Sequence, residues 1–313
     1  MAEEPVMPEY PDITIYIERM HALVMGQPLQ DIRLASPFFL RTFDPPIDSL
    51  KGAILRDIER LGKRIIFVFD DERFLVLHLM IAGRLKWAGI GMKIPARIGL
   101  AALDFPNGAL LLTEAGTKKQ ASLYFVKNRF NVDAFDRGGL EIFDASLGQF
   151  KARLQSENHT LKRSLTDPTL FSGIGNAYSD EILHRARLSP ILLTEKLTDD
   201  QIEKLYLAVR QTLQEWTDKL RAEAGIGFPE HVTAFREDMK VHGRYGKPCP
   251  DCGTPVQRIR YAANETNYCP TCQTNGILLA DRSLSRLLKK DWPRSLEELE
   301  EKKNVNQSLR HHD

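Results

Sequence analysis

The chain has 313 residues, of which 42% are hydrophobic and 27% charged, and its formal net charge is +1. This length allows two domains with a core each, and the composition is typical of a globular protein. The near-neutral charge excludes a uniformly basic nucleic-acid binder, so any basic surface must be local. An apolar run of 18 residues is absent, as is the basic-then-apolar start of a secretion signal, which argues against a membrane span and against export.

The first 130 residues change from a helical to a β pattern. Residues 11–25 are predicted to form an amphipathic helix that Pro11 and Asp12 open and Gly26 closes. Short β-branched or aromatic runs follow, separated by Gly, Pro, Asn and Asp; they are "RIIFVFDD", "RFLVLHLM", "GALLLTE" and "ASLYFV". Their spacing predicts an antiparallel sandwich or barrel rather than a parallel sheet.

Helical patterns dominate from about residue 140. The segments "GQFKARLQSENHTLKRSLTDPTL", "NAYSDEILHRARL" and "TDDQIEKLYLAVRQTLQEWTDKLRAEAG" are predicted to be helical. Thr198 is the expected cap of the last helix, and Gly225 is its expected stop. A cysteine-bearing segment at 240–275 and a charged tail complete the chain. The predicted class is therefore α+β with a small metal module.

Four cysteines form the most specific motif. Cys249, Cys252, Cys269 and Cys272 are spaced C-x2-C-x16-C-x2-C, and two tight turns with two thiolates each supply a tetrahedral Zn²⁺ site. A pair of redox motifs is the alternative, but such a pair does not come duplicated at zinc-ribbon spacing. We expect no histidine or open ligand position beside them. One structural zinc ion, with a β-hairpin in the 16-residue insert, is therefore predicted.

The cysteine segment is locally basic. Between residues 240 and 272 there are five cations (Lys240, Arg244, Lys247, Arg258 and Arg260) and two carboxylates (Asp251 and Glu265). A hairpin that carries "QRIRY", and so Arg258, is suited to contact a phosphate backbone. A solvated charged face is the alternative.

A glycine-rich turn precedes one of the predicted helices, in "FSGIGNAYSDEIL". Gly173 and Gly175 allow backbone angles that other residues avoid, and Asn176 is a candidate cap. Free N–H groups at the positive end of a helix can bind phosphate. A turn that serves packing alone is an equally good interpretation of this motif.

Five separated motifs together resemble the formamidopyrimidine-DNA glycosylase and endonuclease VIII family. They are "MPEYPD", "LGKRIIFVF" with "LVLHLMIAGRL", "GIGNAYSDEIL", "VHGRYGKPCPDCG" and "YCPTCQ", and they extend over residues 7–273. The resemblance implies an N-terminal β-sandwich, a helix-two-turn-helix domain and a C-terminal zinc finger, with DNA between the domains. The corresponding boundaries are an extension at 1–6, the sandwich at 7–138, the helical domain at 139–235, the zinc finger at 236–275 and the tail at 276–313.

The resemblance also implies an activity, bifunctional glycosylase and lyase action on damaged double-stranded DNA, by a cytoplasmic monomer that is associated with the nucleoid in a bacterium. In this family the initiator Met is removed and the N-terminal Pro attacks C1′ of the damaged nucleotide. Pro8 holds that position here, and Glu9 is the implied acid/base. Two possibilities follow for the first six residues. Either translation starts at Met7, or the extension is real and blocks the Pro8 amine.

Three further residues carry over from the family. Lys63 matches a lysine that contacts phosphate and assists catalysis, Ile81 matches a wedge that enters the duplex, and Asn176 matches a phosphate-binding residue. A surface lysine at the start of a strand and a core strand residue are the ordinary alternatives for the first two.

Departures from the family pattern limit the lesion assignment. The Arg- and Phe-bearing loop that reads the opposite base is replaced by "TEAGTKKQ", where Lys118 and Lys119 contact phosphates or lie on a solvated turn. Asn264 stands where the family places an arginine on the zinc hairpin, which predicts weaker DNA binding or less δ-elimination product in a nicking assay. The segment that caps 8-oxoguanine is also absent. A non-catalytic binder of damaged DNA on the same scaffold is the second hypothesis.

Overall fold

The computed structural model describes residues 7–116, 118–229, 232, 236–261, 264–280 and 293–301, with the side chains of 261 and 264 outside this set. The chain divides into two compact units. The first contains Met1–Asp144, Asp167–Gly175 and Leu213–Ala234, and the second contains Ala145–Thr166, Asn176–Thr212 and Phe235–Asp313. None of the described helices combines the length and the apolar character that a membrane span needs.

Two four-stranded antiparallel sheets form the body of the first unit. One sheet has the order β1 (Asp31–Leu34), β6 (Gly99–Phe105), β7 (Gly108–Glu114) and β5 (Gly83–Ala88). The other has the order β2 (Leu55–Leu61), β3 (Arg64–Phe69), β4 (Arg73–His78) and β8 (Ser122–Lys127). The predicted antiparallel sandwich is therefore confirmed, and all four predicted β runs are strands.

Alternation along the strands sorts their side chains between two faces. On β4, Leu75 and Leu77 enter the central core that both sheets share, whereas Phe74 and Val76 form an outer cluster. The outer cluster is completed by Val132 of the short helix α2 (Arg129–Asp133). This two-residue period is the one that a β-strand imposes. The second sheet is thus apolar on both faces.

Helix α1 (Tyr10–Val24) begins one residue before the predicted start. Glu9 precedes the helix, and its backbone N–H donates to the Asp12 carboxylate at 3.0 Å, which occupies one of the N–H groups near the helix end. Ile13, Tyr16 and Met20 recur at helical spacing and enter the central core. The cap therefore places Glu9 at a defined position at the start of the helix.

The helical segments of the second unit are shorter than predicted. Helices α3 (Leu147–Leu154) and α4 (Leu161–Thr166) replace the single helical segment expected across "GQFKARLQSENHTLKRSLTDPTL". Ser156 and Asn158 lie in the break, where such side chains compete with helical hydrogen bonds, and Thr160 pairs with Leu193 in an isolated bridge.

Helices α5 (Asn176–Ala186) and α6 (Asp199–Ala224) follow. Both predicted ends of α6 are confirmed. The Thr198 hydroxyl accepts from the Gln201 N–H at 3.3 Å, and Gly225 has φ +52°.

The cysteine segment folds as predicted around a hairpin. Strands β9 (Gln257–Tyr261) and β10 (Asn264–Tyr268) pair antiparallel, with Arg260 opposite Glu265. Helix α7 (Pro270–Thr274) follows directly, and residues 296–301 are helical.

Candidate active site and metal centre

A glycine-bearing loop at residues 172–175 forms one wall of the candidate active site in the first unit. The Gly173 carbonyl accepts from the Tyr10 N–H at 2.9 Å, and Gly173 has φ +78°. A Cβ at Gly173 would lie 3.1 Å from the Cβ of Tyr10. The loop and the start of α1 are therefore in backbone contact, and this position requires glycine for its φ angle.

Glu9 and Lys63 converge over the second glycine of this loop. Glu9 is 1% exposed, and its Oε2 accepts from the Gly175 N–H at 2.5 Å. A Cβ added at Gly175 would lie 2.4 Å from Lys63 Nζ and 2.6 Å from Glu9 Oε1. Only a residue without a side chain leaves room for both groups, so Gly175 brings a carboxylate and an ammonium close together.

Pro8 and Lys63 reach this place from different elements. Lys63 lies with Gly62 in the tight turn between β2 and β3, where Gly62 has φ +62°. Pro8 is buried and immediately precedes Glu9. Any residue joined before Pro8 makes its nitrogen an amide without a basic lone pair, whereas a Pro8 at the N-terminus is a secondary amine. The structure thus brings together Glu9 and Lys63 in space and places Pro8 next to Glu9 in sequence.

The apolar wedge candidate lies on a turn. Ile81 is 41% exposed and lies between β4 and β5, directly after Met80 with φ +53°. This exposure excludes the alternative of a core strand residue. An exposed aliphatic side chain on a turn has the form that unstacking a base requires.

Two lysines lie in the segment that replaces the family's Arg- and Phe-bearing loop, and they differ in their contacts. Lys118 is exposed, whereas the Lys119 ammonium donates to the carbonyl of Glu114, the last residue of β7. The buried Glu114 carboxylate accepts from the N–H groups of Gln120, at 2.9 and 3.0 Å, and of Ala121, at 3.2 Å. Glu114 therefore closes the loop on itself, a role that the sequence pattern does not indicate.

Asn176 is the first residue of α5, not the residue that precedes the helix. The expected cap at Asn176 is therefore wrong, because Gly175 takes the position before the helix. The Asn176 carbonyl accepts from Lys162 Nζ at 2.6 Å, within the second unit.

Charges on the zinc hairpin are largely paired. Arg258 lies 4.0 Å from the centre of the Tyr245 ring and donates to Glu265 at 3.2 Å. Arg260 also donates to Glu265, at 2.9 Å. The side chain of Asn264 lies outside the described residues. Glu265 thus competes with phosphate for both arginines of the strand.

The cysteines gather into a cluster with zinc-like spacing. The Sγ atoms of Cys249 and Cys272 are 4.0 Å apart, and those of Cys252 and Cys269 are 3.4 Å apart. Two sulfurs of a tetrahedral zinc site lie about 3.8 Å apart, given Zn–S bonds of about 2.3 Å. Four soft donors at this spacing fit Zn²⁺, so the predicted structural site agrees with the geometry.

A histidine from the helical segment joins this cluster, which corrects the expectation that none lies beside it. His184 on α5 is 1% exposed, and its Nε2 lies 3.3 Å from Cys249 Sγ. One donor atom from each of His184, Cys249, Cys269 and Cys272 lies within 4.8 Å of the others. Burial lowers the pKa of His184 to about 4, so the ring is neutral at physiological pH. His184 lies 65 residues before Cys249 in the sequence, so no local spacing pattern indicates this contact.

Two acidic residues of α5 bind the segment that precedes the cysteines. Asp180 is fully buried and accepts from Lys162 Nζ, and His242 Nδ1 lies 2.8 Å from its Oδ2. The Glu181 carboxylate accepts backbone N–H groups from residues 240, 241 and 242 at 2.8 to 2.9 Å. Burial raises the pKa of Glu181, although these N–H groups oppose the rise. The "SDE" of the helix therefore serves packing within the second unit.

Three family models match the chain along most of its length. The formamidopyrimidine-DNA glycosylase N-terminal domain matches residues 7–133, the H2TH domain of the same glycosylase matches 141–222, and the zinc finger found in FPG and IleRS matches 246–275. A formamidopyrimidine-DNA glycosylase of Solibacter usitatus is 30% identical over 277 residues, which cover 85% of this chain and 99% of the relative. The chain belongs to the formamidopyrimidine-DNA glycosylase family.

Other members of the formamidopyrimidine-DNA glycosylase family agree in sequence and in fold. An uncharacterized formamidopyrimidine-DNA glycosylase-like protein of Mycobacterium tuberculosis is 40% identical over 151 residues, 48% of this chain and 94% of the relative. The Lactococcus lactis Fpg in complex with DNA that contains an oxidized pyrimidine has a TM-score of 0.76 at 25% identity. That match covers 85% of this chain and 100% of the other. The β-sandwich, the H2TH segment and the zinc finger are those of the family, and the cysteine cluster is its structural zinc site.

Proposed function

We propose that this chain is a bifunctional DNA glycosylase and abasic-site lyase of base-excision repair. It acts as a cytoplasmic monomer on damaged double-stranded DNA, with Pro8 as nucleophile, Glu9 as acid/base and Lys63 as phosphate ligand. The observation that carries this proposal is that the side chains of Glu9 and Lys63 converge over Gly175. Glu9 directly follows Pro8 in the sequence. A buried carboxylate and an ammonium beside an amine nucleophile are the groups that glycosidic cleavage with strand cleavage needs.

The reaction is written as an amine displacement followed by elimination. The Pro8 nitrogen forms a bond to C1′, the bond from C1′ to the base breaks, and the base leaves with its electron pair and takes up a proton. Protonation of the ring oxygen by Glu9 opens the sugar and leaves an iminium between Pro8 and C1′. The Glu9 carboxylate, which has given up its proton in the ring opening, removes the C2′ proton, and the electron pair of the C2′–H bond moves into the iminium to give an enamine. The enamine then expels the 3′-phosphate, which completes β-elimination. Water hydrolyses the iminium and restores Pro8.

This chemistry requires a Pro8 nitrogen with a free lone pair. Translation from Met7 followed by removal of that methionine supplies it, and a free α-amine with a pKa near ~8 is partly neutral at physiological pH. Glu9 is held for its task by two backbone groups, because its carboxylate accepts from the Gly175 N–H and from the N–H of Asp12 in α1. Ile81 lies at an exposed turn position that suits entry into the base stack.

The residues that we propose to contact DNA differ in charge and in the unit to which they belong. Lys63 and Lys118 are cations on turns of the first unit, whereas Asn176 and Arg258 belong to the second unit. Phosphate contacts of this kind position DNA without reading its sequence. The zinc ion, held by Cys249, Cys252, Cys269 and Cys272, stabilises the hairpin that carries Arg258 and Asn264 and takes no part in the chemistry.

Borohydride trapping tests the nucleophile. Protein that begins at Pro8, verified by intact mass, is mixed with duplex DNA that contains one abasic site and is reduced with borohydride. We expect a covalent adduct whose modified peptide carries the deoxyribose remnant at Pro8. Protein translated from Met1 is the matched control and should give none. Failure of the Pro8-initiated protein to trap the abasic site refutes the catalytic proposal.

A non-catalytic binder of damaged DNA is the second candidate, and one observation favours it. An asparagine occupies position 264 where the resemblance implies an arginine. This candidate predicts that natively expressed protein retains residues 1–6 and binds abasic-site duplex without cleaving it. Sequencing the N-terminus of that protein and assaying it for nicking separates the two candidates.

A further inference from the structure

Arg60 lies on β2, three residues before Lys63, and its side chain is only 15% exposed. The chemistry proposed above gives it no part. Within the first unit its guanidinium donates to the Gly62 carbonyl at 2.9 Å and to the Ser172 hydroxyl at 3.2 Å. It also donates to the Glu141 carboxylate and stacks on the Tyr10 ring, 4.5 Å from the ring centre. One side chain thus contacts four separate groups.

These four groups belong to the segments that carry the candidate active site. Gly62 precedes Lys63 in the β2–β3 turn, and Tyr10 follows Glu9 at the start of α1. Ser172 begins the loop that ends at Gly175. Arg60 is therefore in contact with a direct chain neighbour of Lys63 and of Glu9, and with the loop whose N–H binds Glu9.

The contacts close into a network instead of ending at Arg60. Glu141 accepts from the Ser172 hydroxyl as well as from Arg60, and Gly173 accepts from the Tyr10 N–H at 2.9 Å. A planar guanidinium offers five donors in a fixed fork, so it can serve a carbonyl, a hydroxyl and a carboxylate at once while its face stacks on an aromatic ring. An ammonium lacks both the fork and the face.

We propose that Arg60 is a positioning residue, which fixes the placement of Glu9, Lys63 and Gly175 relative to one another without touching a reacting atom. The inference rests on the proposed function, because it assigns Arg60 to that same site. Misplacing a catalytic group by about 1 Å can reduce a rate by about 100-fold, so such a network has a measurable effect on the chemical step.

The test compares the chemical step with DNA affinity and with folding. Arg60→Met and Arg60→Lys proteins that begin at Pro8 are assayed by single-turnover cleavage of abasic-site duplex, well below their melting temperatures. We expect the single-turnover rate to fall by about 10- to 100-fold in both variants. The Kd for duplex that contains a non-cleavable abasic analogue should change by less than about threefold, because Arg60 is not among the proposed phosphate ligands. A purely structural role would lower the melting temperature and leave the rate of the folded fraction unchanged.

Two further variants control for folding. Arg129→Met removes an ion pair with Glu59, which neighbours Arg60 on β2, and should leave the rate at the wild-type value. Ser172→Ala removes one arm of the network with little change in volume, and we expect an intermediate fall of about 3- to 10-fold. It replaces the Arg60 variants if these do not fold.

The outcomes separate the inference from the proposed function. If the parent protein that begins at Pro8 forms no trapped adduct, the proposed function has failed. If the parent is active and Arg60→Met cleaves within twofold of it, or loses no more activity than Arg129→Met, Arg60 has no positioning role. With Ser172→Ala as the only folded variant, a rate within twofold of the parent has the same meaning.

Discussion

The zinc cluster of the second unit and the Glu9–Lys63 site of the first differ in how they are assembled. The four cysteines lie within 24 residues of one another and form a local module around one hairpin. Glu9, Lys63 and Gly175 come from a helix start, a strand turn and a loop that are distant in sequence. A metal centre can therefore be recognised from spacing and stabilises its own segment, whereas the candidate active site depends on the first unit being folded. The predictions below perturb one region or the other.

Loss of a zinc ligand should have the largest effect on stability. Cys269→Ser replaces a fully buried sulfur of the cluster, and structural zinc contributes about 10–16 kcal/mol of binding free energy that is coupled to folding. We expect loss of zinc by metal analysis and loss of the hairpin's resonances in NMR spectra. Thr271→Ser, between the two cysteines of the second pair, is the control and should keep its zinc. Retention of one zinc per chain in the Cys269 variant would remove that residue from the ligand set.

Neutralising Glu9 should affect catalysis and leave stability nearly unchanged. Glu9→Gln keeps an oxygen that can accept from the Gly175 N–H but loses the acid/base, so the single-turnover rate of base excision should fall by about 100- to 10,000-fold. The melting temperature should change little. Glu18→Gln on the same helix, where Glu18 pairs with Arg221 at an exposed position, should excise at the parent rate. Equal rates for the two variants would contradict the role of Glu9.

Breaking the buried ion pair of the second unit should destabilise that unit. Asp180→Asn leaves Lys162 buried without its carboxylate, and removing one partner of such a pair costs about 3–5 kcal/mol of unfolding free energy. Asp199→Asn interrupts the exposed pair with Lys151 and should cost less than about 1 kcal/mol. Urea titration of both variants measures the difference in unfolding free energy. Costs of similar size would show that the buried pair contributes no more to stability than the exposed one.

Filling the space above Gly175 should lower both the stability of the protein and the reaction rate, each by an intermediate amount. In Gly175→Ala the new Cβ would lie within 2.6 Å of Lys63 Nζ and of Glu9 Oε1, so one of these side chains must move. We expect destabilisation by about 1–3 kcal/mol, as for other overpacked sites, and a rate lower by about 10- to 100-fold. Gly89→Ala is the control, because Gly89 like Gly175 has no positive φ and an added Cβ there would meet nothing within 4 Å.

His78, which pairs with Arg64 between β4 and β3, should give the first unit a modest pH dependence. Burial, together with the charges of Arg64 and Lys63, lowers the pKa of His78 to about 4 from an ordinary 6.5. The unfolded chain therefore binds more protons than the folded one between these values, so unfolding free energy falls as pH drops from 6.5 to 4 and is flat above. His78→Gln should reduce that slope, by up to about 3 kcal/mol over the window. Urea titrations at pH 7 and pH 5 measure it, with the more exposed His21→Gln as control.

The sequence patterns indicated the sandwich because its apolar strands are continuous runs. Strands β3, β4, β7 and β8 were all recognised, since they are buried on one or both faces. By contrast β2, with "LRDIERL", has only two buried residues in seven and no β-branched run, so the sequence did not distinguish it from a loop. Pairing with β3 across the sheet makes it a strand.

Sequence by itself determined the zinc spacing, the ends of α6 and the motifs that place Pro8, Glu9 and Lys63, because ligand geometry and helix capping are set over a few residues. Tertiary structure decided what those residues contact. It placed His184 beside Cys249, assigned Asp180 and Glu181 to packing, turned Ile81 outward and surrounded Arg60 with four partners. Each of these contacts joins segments whose distance in space depends on how whole sheets and helices pack, and no local pattern encodes that distance.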